Sequence, residues 1–187
     1  MRVLRRIFSR FYLYVLWVFF AVLFCGLVFS RLGDMDPAHK ITLYADVPDM
    51  RDTVLAAELE KEKPEDIRMV KVHPFSYAMF DTDDLLGADL YILPASRVEE
   101  YADSLRCIEG APFDAAGGCL RGGELWGVLV WDAAKGEGAA ADSIDYPDED
   151  CWLFFNKDSK HILSLNGTGD DAAIEIAQRL LDLRGEQ

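Results

Sequence analysis

The side chains best placed to bind a ligand in this chain follow the ends of predicted strands. Carboxylates and hydroxyls exchange hydrogen bonds with a ligand, and indole or phenyl rings stack on its apolar faces. In an open α/β sheet the ligand crevice lies beyond the carboxyl ends of the strands. Six residues occupy such positions and form the predicted ligand-binding set: Asp46, Phe75, Ser76, Ser96, Trp131 and Asp132. A polar and aromatic rim of this kind suits a sugar or a peptide.

Two members of this set also have a structural interpretation. Ser96 and Glu99 have the spacing of a helix capping box, in which the serine hydroxyl binds the first helical turn. Trp131 can pack on its own hairpin instead of facing a ligand. The sequence leaves these alternatives open.

Two acidic clusters carry the oxygen ligands that a hard cation such as calcium requires. They are Asp81, Asp83 and Asp84, and Asp145, Asp148, Glu149 and Asp150. Neither cluster has the glycine and the distal glutamate of an EF-hand loop. We therefore predict solvated turns and no bound metal.

The residue types that catalyse hydrolysis are scattered in this sequence. His39, His73 and His161 lie far apart along the chain, and no serine or cysteine stands in a nucleophile motif such as GxSxG. We predict no catalytic residue, no cofactor and no enzymatic activity. A hydrolase remains an alternative, ranked behind the two functions described at the end of this section.

Cysteine spacing permits one short disulfide loop. Cys107 and Cys119 are close enough in sequence for such a bridge, and Cys151 would then be left over. The pairing of these three residues stays open. No cysteine and histidine pair has zinc spacing, so we predict no structural zinc.

These residues must be positioned by alternating strands and helices. The predicted strands are Ile41–Val47, Ile67–His73, Asp89–Leu93, the hairpin pair Cys119–Arg121 and Glu124–Asp132, and Cys151–Phe155. The predicted helices are Met50–Lys63, Ser76–Phe80, Arg97–Arg106 and Asp170–Arg184. The alternation predicts an α/β domain with a mixed, mainly parallel sheet flanked by helices. Residues 133–150 are small and acidic without apolar periodicity, which predicts a flexible acidic loop.

The amino-terminal segment has the pattern of a membrane anchor. Residues 11–30 carry no charge, and four arginines precede them. This predicts a basic cytoplasmic tail at 1–10, a transmembrane helix at 11–32, a tether at 33–40 and an extracytoplasmic domain at 41–187. A cleaved signal peptide and a lipoprotein signal at Cys25 are the alternatives.

Composition restricts the partners of the domain. The chain holds 33 acidic and 19 basic residues and has a formal net charge of −14. Such a polyanion repels nucleic acid, which we exclude as a partner. The length is sufficient for one domain with a real core.

Four segments resemble extracellular solute-binding proteins of bacterial ABC transporters, which have the periplasmic-binding-protein type II fold. The segments are ITLYADVPD, GADLYILPASRVEEY, RGGELWGVLV and CWLFFNKDSKHILSLNGTGDDAAIEIAQRLLDL. Their order along residues 41 to 184 carries the resemblance. It implies one lobe of that fold.

The chain departs from this family where a second lobe is usually inserted, since only residues 133–150 fill that interval. The resemblance therefore implies a truncated, single-lobe form. We expect a membrane-anchored, non-enzymatic protein that recognises a small solute, such as a sugar or a peptide, or that assists an ABC permease. A second-lobe partner chain is a further expected partner. The alternative is a protein-interaction or sensory ectodomain that keeps the fold without binding a ligand.

Overall fold

The structure, a computed structural model, describes residues 11–32, 36–75, 83–113, 117–167 and 169–183. The chain forms two compact units, Met1–Asp36 and Pro37–Gln187. The predicted cytoplasmic tail at 1–10 and the predicted helix Ser76–Phe80 lie outside the described residues. So do the side chains of the acidic cluster Asp81, Asp83 and Asp84.

In the described part of the first unit, helix α1 spans Phe11–Leu32. Crossing a bilayer takes about 20 consecutive, predominantly apolar residues in a single helix. Among the residues that the structure describes, there is no helix with both the length and the hydropathy of a membrane span. The predicted single-pass anchor at 11–32 is therefore corrected, and with it the cell-membrane location.

The second unit is built on a mixed sheet of seven strands. They are β1 Lys40–Ala45, β3 Met69–Pro74, β4 Leu90–Pro94, β5 Cys119–Arg121, β6 Glu124–Asp132, β7 Glu137–Gly138 and β9 Cys151–Phe155. Their order is β3-β1-β4-β9-β6-β5, with β7 paired to β6. β1 is parallel to β3 and β4, whereas β9 is antiparallel to β4 and β6. The mixed α/β class predicted from the sequence is confirmed at this level.

Helices cover the sheet. They are α2 Asp52–Glu60, α3 Asp83–Leu86, α4 Leu163–Asn166 and α5 Ala172–Asp182, with 3₁₀ helices at Pro37–His39 and Ala95–Ser104. One face of the sheet packs against α2 and α5, from which Leu59 and Leu180 are fully buried. The other face buries Tyr91 and Phe154 beneath Val98 of the long 3₁₀ helix. Alternate residues of β4 and β9 enter the two clusters, as pleated strands require.

The segment Ala95–Ser104 is a 3₁₀ helix, although the sequence predicts an α-helix at Arg97–Arg106. The chain leaves the sheet after β4 and returns at Leu105, which bridges to Asn156 beyond the far end of β9. A 3₁₀ helix rises about 2.0 Å per residue against about 1.5 Å for an α-helix, so ten residues cover the length of the strands.

Residues 133–150, predicted to be a flexible loop, hold regular structure. β7 pairs with the end of β6, and β8, Ile144–Asp145, pairs with β2, Asp49–Met50. Ala139 and Ile144 are buried. Because β2 occupies Asp49–Met50, the following helix starts at Asp52 and not at Met50 as predicted.

The described cysteines form no disulfide, including Cys107 and Cys119, whose spacing permits one. Cys151 is buried on β9, and its thiol lies 3.6 Å from the Glu149 carbonyl oxygen. Burial, with the charges of nearby acids, raises the pKa of this thiol to about 12. It is therefore an inert core residue at neutral pH.

Gly127 is required by close packing between β6 and β9. A Cβ atom at this position would lie 2.5 Å from the ring of Phe154, which is fully buried and cannot move aside. We predict that Gly127→Ala lowers the free energy of unfolding by about 1–3 kcal/mol through overpacking. Urea denaturation measures this loss. In the double variant with Phe154→Leu the alanine should cost clearly less, and simple additivity of the two losses would contradict the explanation.

Candidate functional site

The carboxyl ends of the strands meet at one edge of the sheet, as the sequence predicts. Ala45 of β1 is in register with Pro74 of β3, and Pro94 of β4 is in register with Cys151. Cys151 in turn pairs with Trp131 of β6. We call this side of the sheet the carboxyl edge. All described members of the predicted ligand-binding set lie along it, and Ser76 is outside the described residues.

Asp46 and Phe75 converge on a residue outside the predicted set, Arg97. The Arg97 Nε atom lies 3.5 Å from Asp46 Oδ2 and 3.0 Å from Glu100 Oε2. Its guanidinium carbon lies 5.1 Å from the centre of the Phe75 ring, at cation–π distance. The Phe75 ring meets the Tyr101 ring edge-on, with centroids 6.3 Å apart. The result is a half-buried arrangement of one cation, two carboxylates and two rings.

The electrostatics of this cluster disfavour a charged Asp46. Burial raises the pKa of Asp46, the Arg97 guanidinium lowers it, and the charges of Glu100 and Glu149 raise it further, so that the net shift is upward. Burial also raises the pKa of Tyr101 to about 12. Two carboxylates, Asp46 and Glu100, contact the single guanidinium of Arg97.

Ser96 is bound to the segment that precedes β9. Its backbone N–H and its hydroxyl each donate to a carboxylate oxygen of Glu149, both at 2.8 Å. The predicted capping box is therefore wrong, because the residue before the 3₁₀ helix is Pro94 and no side chain caps it. Glu99 instead lies 3.4 Å from Arg121. A carboxylate distant in sequence has taken the role that a local residue was predicted to fill.

Trp131 and Asp132 lie at the other end of the carboxyl edge and make contacts of their own. The Trp131 ring stacks on Tyr146, with centroids 4.9 Å apart and an interplanar angle of 7°. Asp132 accepts from the Lys135 backbone at 3.1 Å and lies 2.7 Å from its ammonium group, and these hydrogen bonds lower the pKa of Asp132. Strand β9 separates this pair from the Arg97 cluster, a separation of roughly 10 Å.

Arg97, Glu149 and Tyr101 belong to the site but were not in the predicted ligand-binding set. Arg97 directly follows Ser96, three residues after the end of β4, so the sequence contains the signal that would have placed it near the carboxyl edge. Glu149 lies in a segment predicted to be flexible, and only the β9 pairing brings it to Ser96. No local pattern signals that interaction.

A buried polar network at the opposite edge of the sheet was not predicted either. Asp89 accepts from the Ser159 hydroxyl at 2.6 Å and from the Thr42 backbone at 2.9 Å. The His161 ring, nearly fully buried, lies 2.8 Å from Asp170 and 2.9 Å from the Pro37 carbonyl oxygen. The serine and the imidazole face different partners, so this set is not arranged as a nucleophile and its base.

Comparisons with known proteins give little to set beside this geometry. No family model matches the chain, and no curated protein is similar to it. Among solved structures, thiaminase I from Bacillus thiaminolyticus aligns with 49% of this chain at 16% identity and a TM-score of 0.33. The aligned part covers 28% of that enzyme. A similarity of this size carries no argument about fold or function.

The resemblance to extracellular solute-binding proteins is therefore corrected, since no family model supports it. It rested on short strand and turn segments. Such segments recur in α/β domains in general, because any strand that leads through a turn into a helix needs the same residue types. The assignment of one periplasmic-binding-protein lobe falls with it.

The first prediction from the site concerns Asp46. Its raised pKa means that its stabilising contribution is present below the unfolded pKa, near 4, and is lost as pH rises through the folded value. We expect Asp46→Asn to be as stable as the unmodified chain, or more stable, at pH 7. Urea denaturation at pH 7 measures this, with the exposed Asp103→Asn as the control. A loss of more than about 1 kcal/mol would instead show that the pair with Arg97 stabilises the fold.

The second prediction concerns Glu149. Removing its carboxylate leaves the Ser96 N–H and hydroxyl without their acceptor, so Glu149→Ala should cost about 1 kcal/mol of unfolding free energy. The exposed Glu137→Ala, in the same segment, should cost almost nothing. Thermal or urea unfolding of both variants makes the comparison. Equal losses would show that the bond to Ser96 contributes nothing specific.

Proposed function

We propose that the domain is a non-enzymatic interaction module, and that it recognises a protein partner with a positively charged surface through the carboxyl edge. The supporting observation is that the side chains a small ligand would need already contact one another. Ser96 donates twice to Glu149, Asp46 faces Arg97, and Trp131 is stacked on Tyr146. A small solute would have to displace these contacts, whereas the surface of a protein partner adds to them.

The charge of the carboxyl edge supports a basic partner. Asp49 and Asp145 are exposed and stand directly opposite each other in the β2–β8 pair. Asp148 is exposed close by in sequence. We call these three residues the acidic edge. Like charges in opposed positions repel each other, so a lysine or arginine from a partner would relieve the repulsion.

We propose a non-enzymatic role because the candidate nucleophiles and bases among the described residues are engaged in other contacts. The Ser159 hydroxyl donates to Asp89, and both ring nitrogens of His161 face other acceptors. The Cys151 thiol is buried with a raised pKa. None of these groups is poised as an activated nucleophile. An ABC permease and a second-lobe partner chain stay predictions of the sequence.

Recognition of a small polar solute is the second candidate, and one observation favours it. Asp46 Oδ2 and the Tyr101 hydroxyl are buried without a hydrogen bond of normal geometry from the described residues, although Arg97 lies near both. Buried polar atoms usually have partners. The hydroxyl or amide of a sugar or a peptide could supply the missing bond.

Charge reversal at the acidic edge tests the leading proposal. In Asp145→Lys with Asp148→Lys, two exposed acids become cations; the matched control, Glu65→Lys with Asp66→Lys, makes the same charge change at exposed sites near the start of β3. The full chain and both variants are used to capture proteins from an extract of the source organism. We expect the amount of captured protein to fall at least tenfold with the first variant and to stay unchanged with the control. Equal retention by both variants would contradict the proposal, and equal loss would show that net charge alone is responsible.

A thermal-shift screen of the full chain separates the second candidate. Sugars and short peptides at about 5 mM raise the melting temperature if they bind the folded state with a dissociation constant well below that concentration. The leading proposal expects no such shift. A shift that Asp46→Asn or Tyr101→Phe abolishes would replace it by solute recognition.

A further inference from the structure

His161 lies where a neutral imidazole cannot satisfy its surroundings. Its side chain is 2% exposed. Nδ1 lies 2.8 Å from a carboxylate oxygen of Asp170, and Nε2 lies 2.9 Å from the carbonyl oxygen of Pro37. Neutral imidazole has one N–H and one lone pair, so one nitrogen would face an acceptor without a proton between them. Imidazolium donates to both oxygens.

The charges around the ring favour the protonated form. Burial lowers the pKa of His161, but the hydrogen bonds to Pro37 and Asp170, together with the charges of Asp89 and Asp170, outweigh it and raise the pKa overall. Asp89 comes from the start of β4, and its own pKa is raised, mainly by burial. The charge of Lys40, at the start of β1, lowers the pKa of Asp89 but does not outweigh burial. Asp171, next to Asp170, is bound to Ser164.

The two acceptors of the His161 ring, Asp170 and Pro37, differ in the other hydrogen bonds that they make. Asp170 is fixed independently, because its carboxylate accepts from the Ala172 N–H, its backbone N–H donates to Lys160 and its carbonyl accepts from Leu163. When the ring is neutral, its one remaining proton stays on Nδ1, because the Asp170 carboxylate that Nδ1 faces is a stronger acceptor than the Pro37 carbonyl oxygen. Deprotonation therefore breaks the hydrogen bond to Pro37, the first residue of the second unit.

We propose that His161 is a proton-operated latch, which fastens Pro37 to the domain when the imidazole is protonated and releases it when the proton leaves. His39, two residues on, keeps its bonds to Arg68 and Asp66 in both states. The release leaves the other hydrogen bonds of Asp170 in place. It loosens the segment that leads into β1. The latch is independent of the proposed interaction at the carboxyl edge, so each can fail without the other.

The sign of the pH effect follows from the raised pKa. Below about pH 6.5 both folded and unfolded chains hold the proton, and the stabilisation is complete. As pH rises towards and through the folded pKa, the unfolded chain has already lost its proton, so the stabilisation disappears. One such group raises the unfolding equilibrium constant by at most about tenfold per pH unit in this window.

Two measurements on the full chain test the latch. Nuclear magnetic resonance of ring ¹⁵N nuclei should show protons on both nitrogens of His161 at about pH 6.5 and a titration midpoint above that value. The unfolding constant should rise between about pH 6.5 and about pH 8.5 in the unmodified chain and in His39→Gln, which removes another histidine of the same segment. In His161→Gln the rise should vanish.

A ring with a single proton at about pH 6.5, or a midpoint below it, would overturn the proposal. So would an unchanged pH dependence in His161→Gln. If that variant does not fold, the ring titration of the unmodified chain decides alone. Amide hydrogen exchange separates a latch from a purely global effect. Ala38, next to Pro37, should exchange faster above the midpoint, after correction for base catalysis, while Val72 of β3 should not.

Discussion

Asp89 holds together the ends of three strands, and the rest of the domain depends on that connection. Its backbone N–H donates to the Thr42 carbonyl oxygen of β1, and its carbonyl oxygen accepts from the Asn156 N–H beyond β9. Its carboxylate accepts from Thr42 and Ser159. A buried carboxylate is costly unless its oxygens are satisfied, and here two donors satisfy it. Asp89 thus connects the start of β4 to β1 and to the residues that follow β9.

The directions of these strands have consequences at the opposite end of the sheet. Because β1, β4 and β6 run in one direction, their carboxyl ends reach the same edge, and the antiparallel β9 brings Glu149 and Asp150 beside them. Glu149 then binds Ser96, and Asp150 accepts from the Ala133 backbone. The polar groups of the carboxyl edge are thus largely engaged within the domain. This favours recognition of a surface over enclosure of a small molecule, since concave and mostly apolar pockets are what small ligands require.

The two edges of the sheet have different chemistry for the same reason. The carboxyl edge collects acids around the guanidinium of Arg97, whereas the opposite edge of the sheet buries Asp89 and His161 with their partners. At the first edge, excess negative charge is exposed to solvent and available to a cationic partner. At the second edge, the charged groups are buried, and we propose that the protonation state of His161 determines whether its hydrogen bond to Pro37 forms. The proposed partner surface and the proposed proton latch therefore lie at different edges of the sheet.

The sequence by itself determined the alternation of strands and helices, the glycine turn before β6 and the apolar stripe of α5. These are local properties: Gly122 and Gly123 have positive φ, and Ile174, Ala177 and Leu180 recur at helical spacing. It also placed Asp46, Phe75, Ser96 and Trp131 at one edge, because parallel strands share a direction. Only the tertiary structure decided what these side chains contact. Glu149 reaches Ser96 across 53 residues, and Pro37 reaches His161 across 124; strand pairing creates both contacts, and no local spacing encodes them.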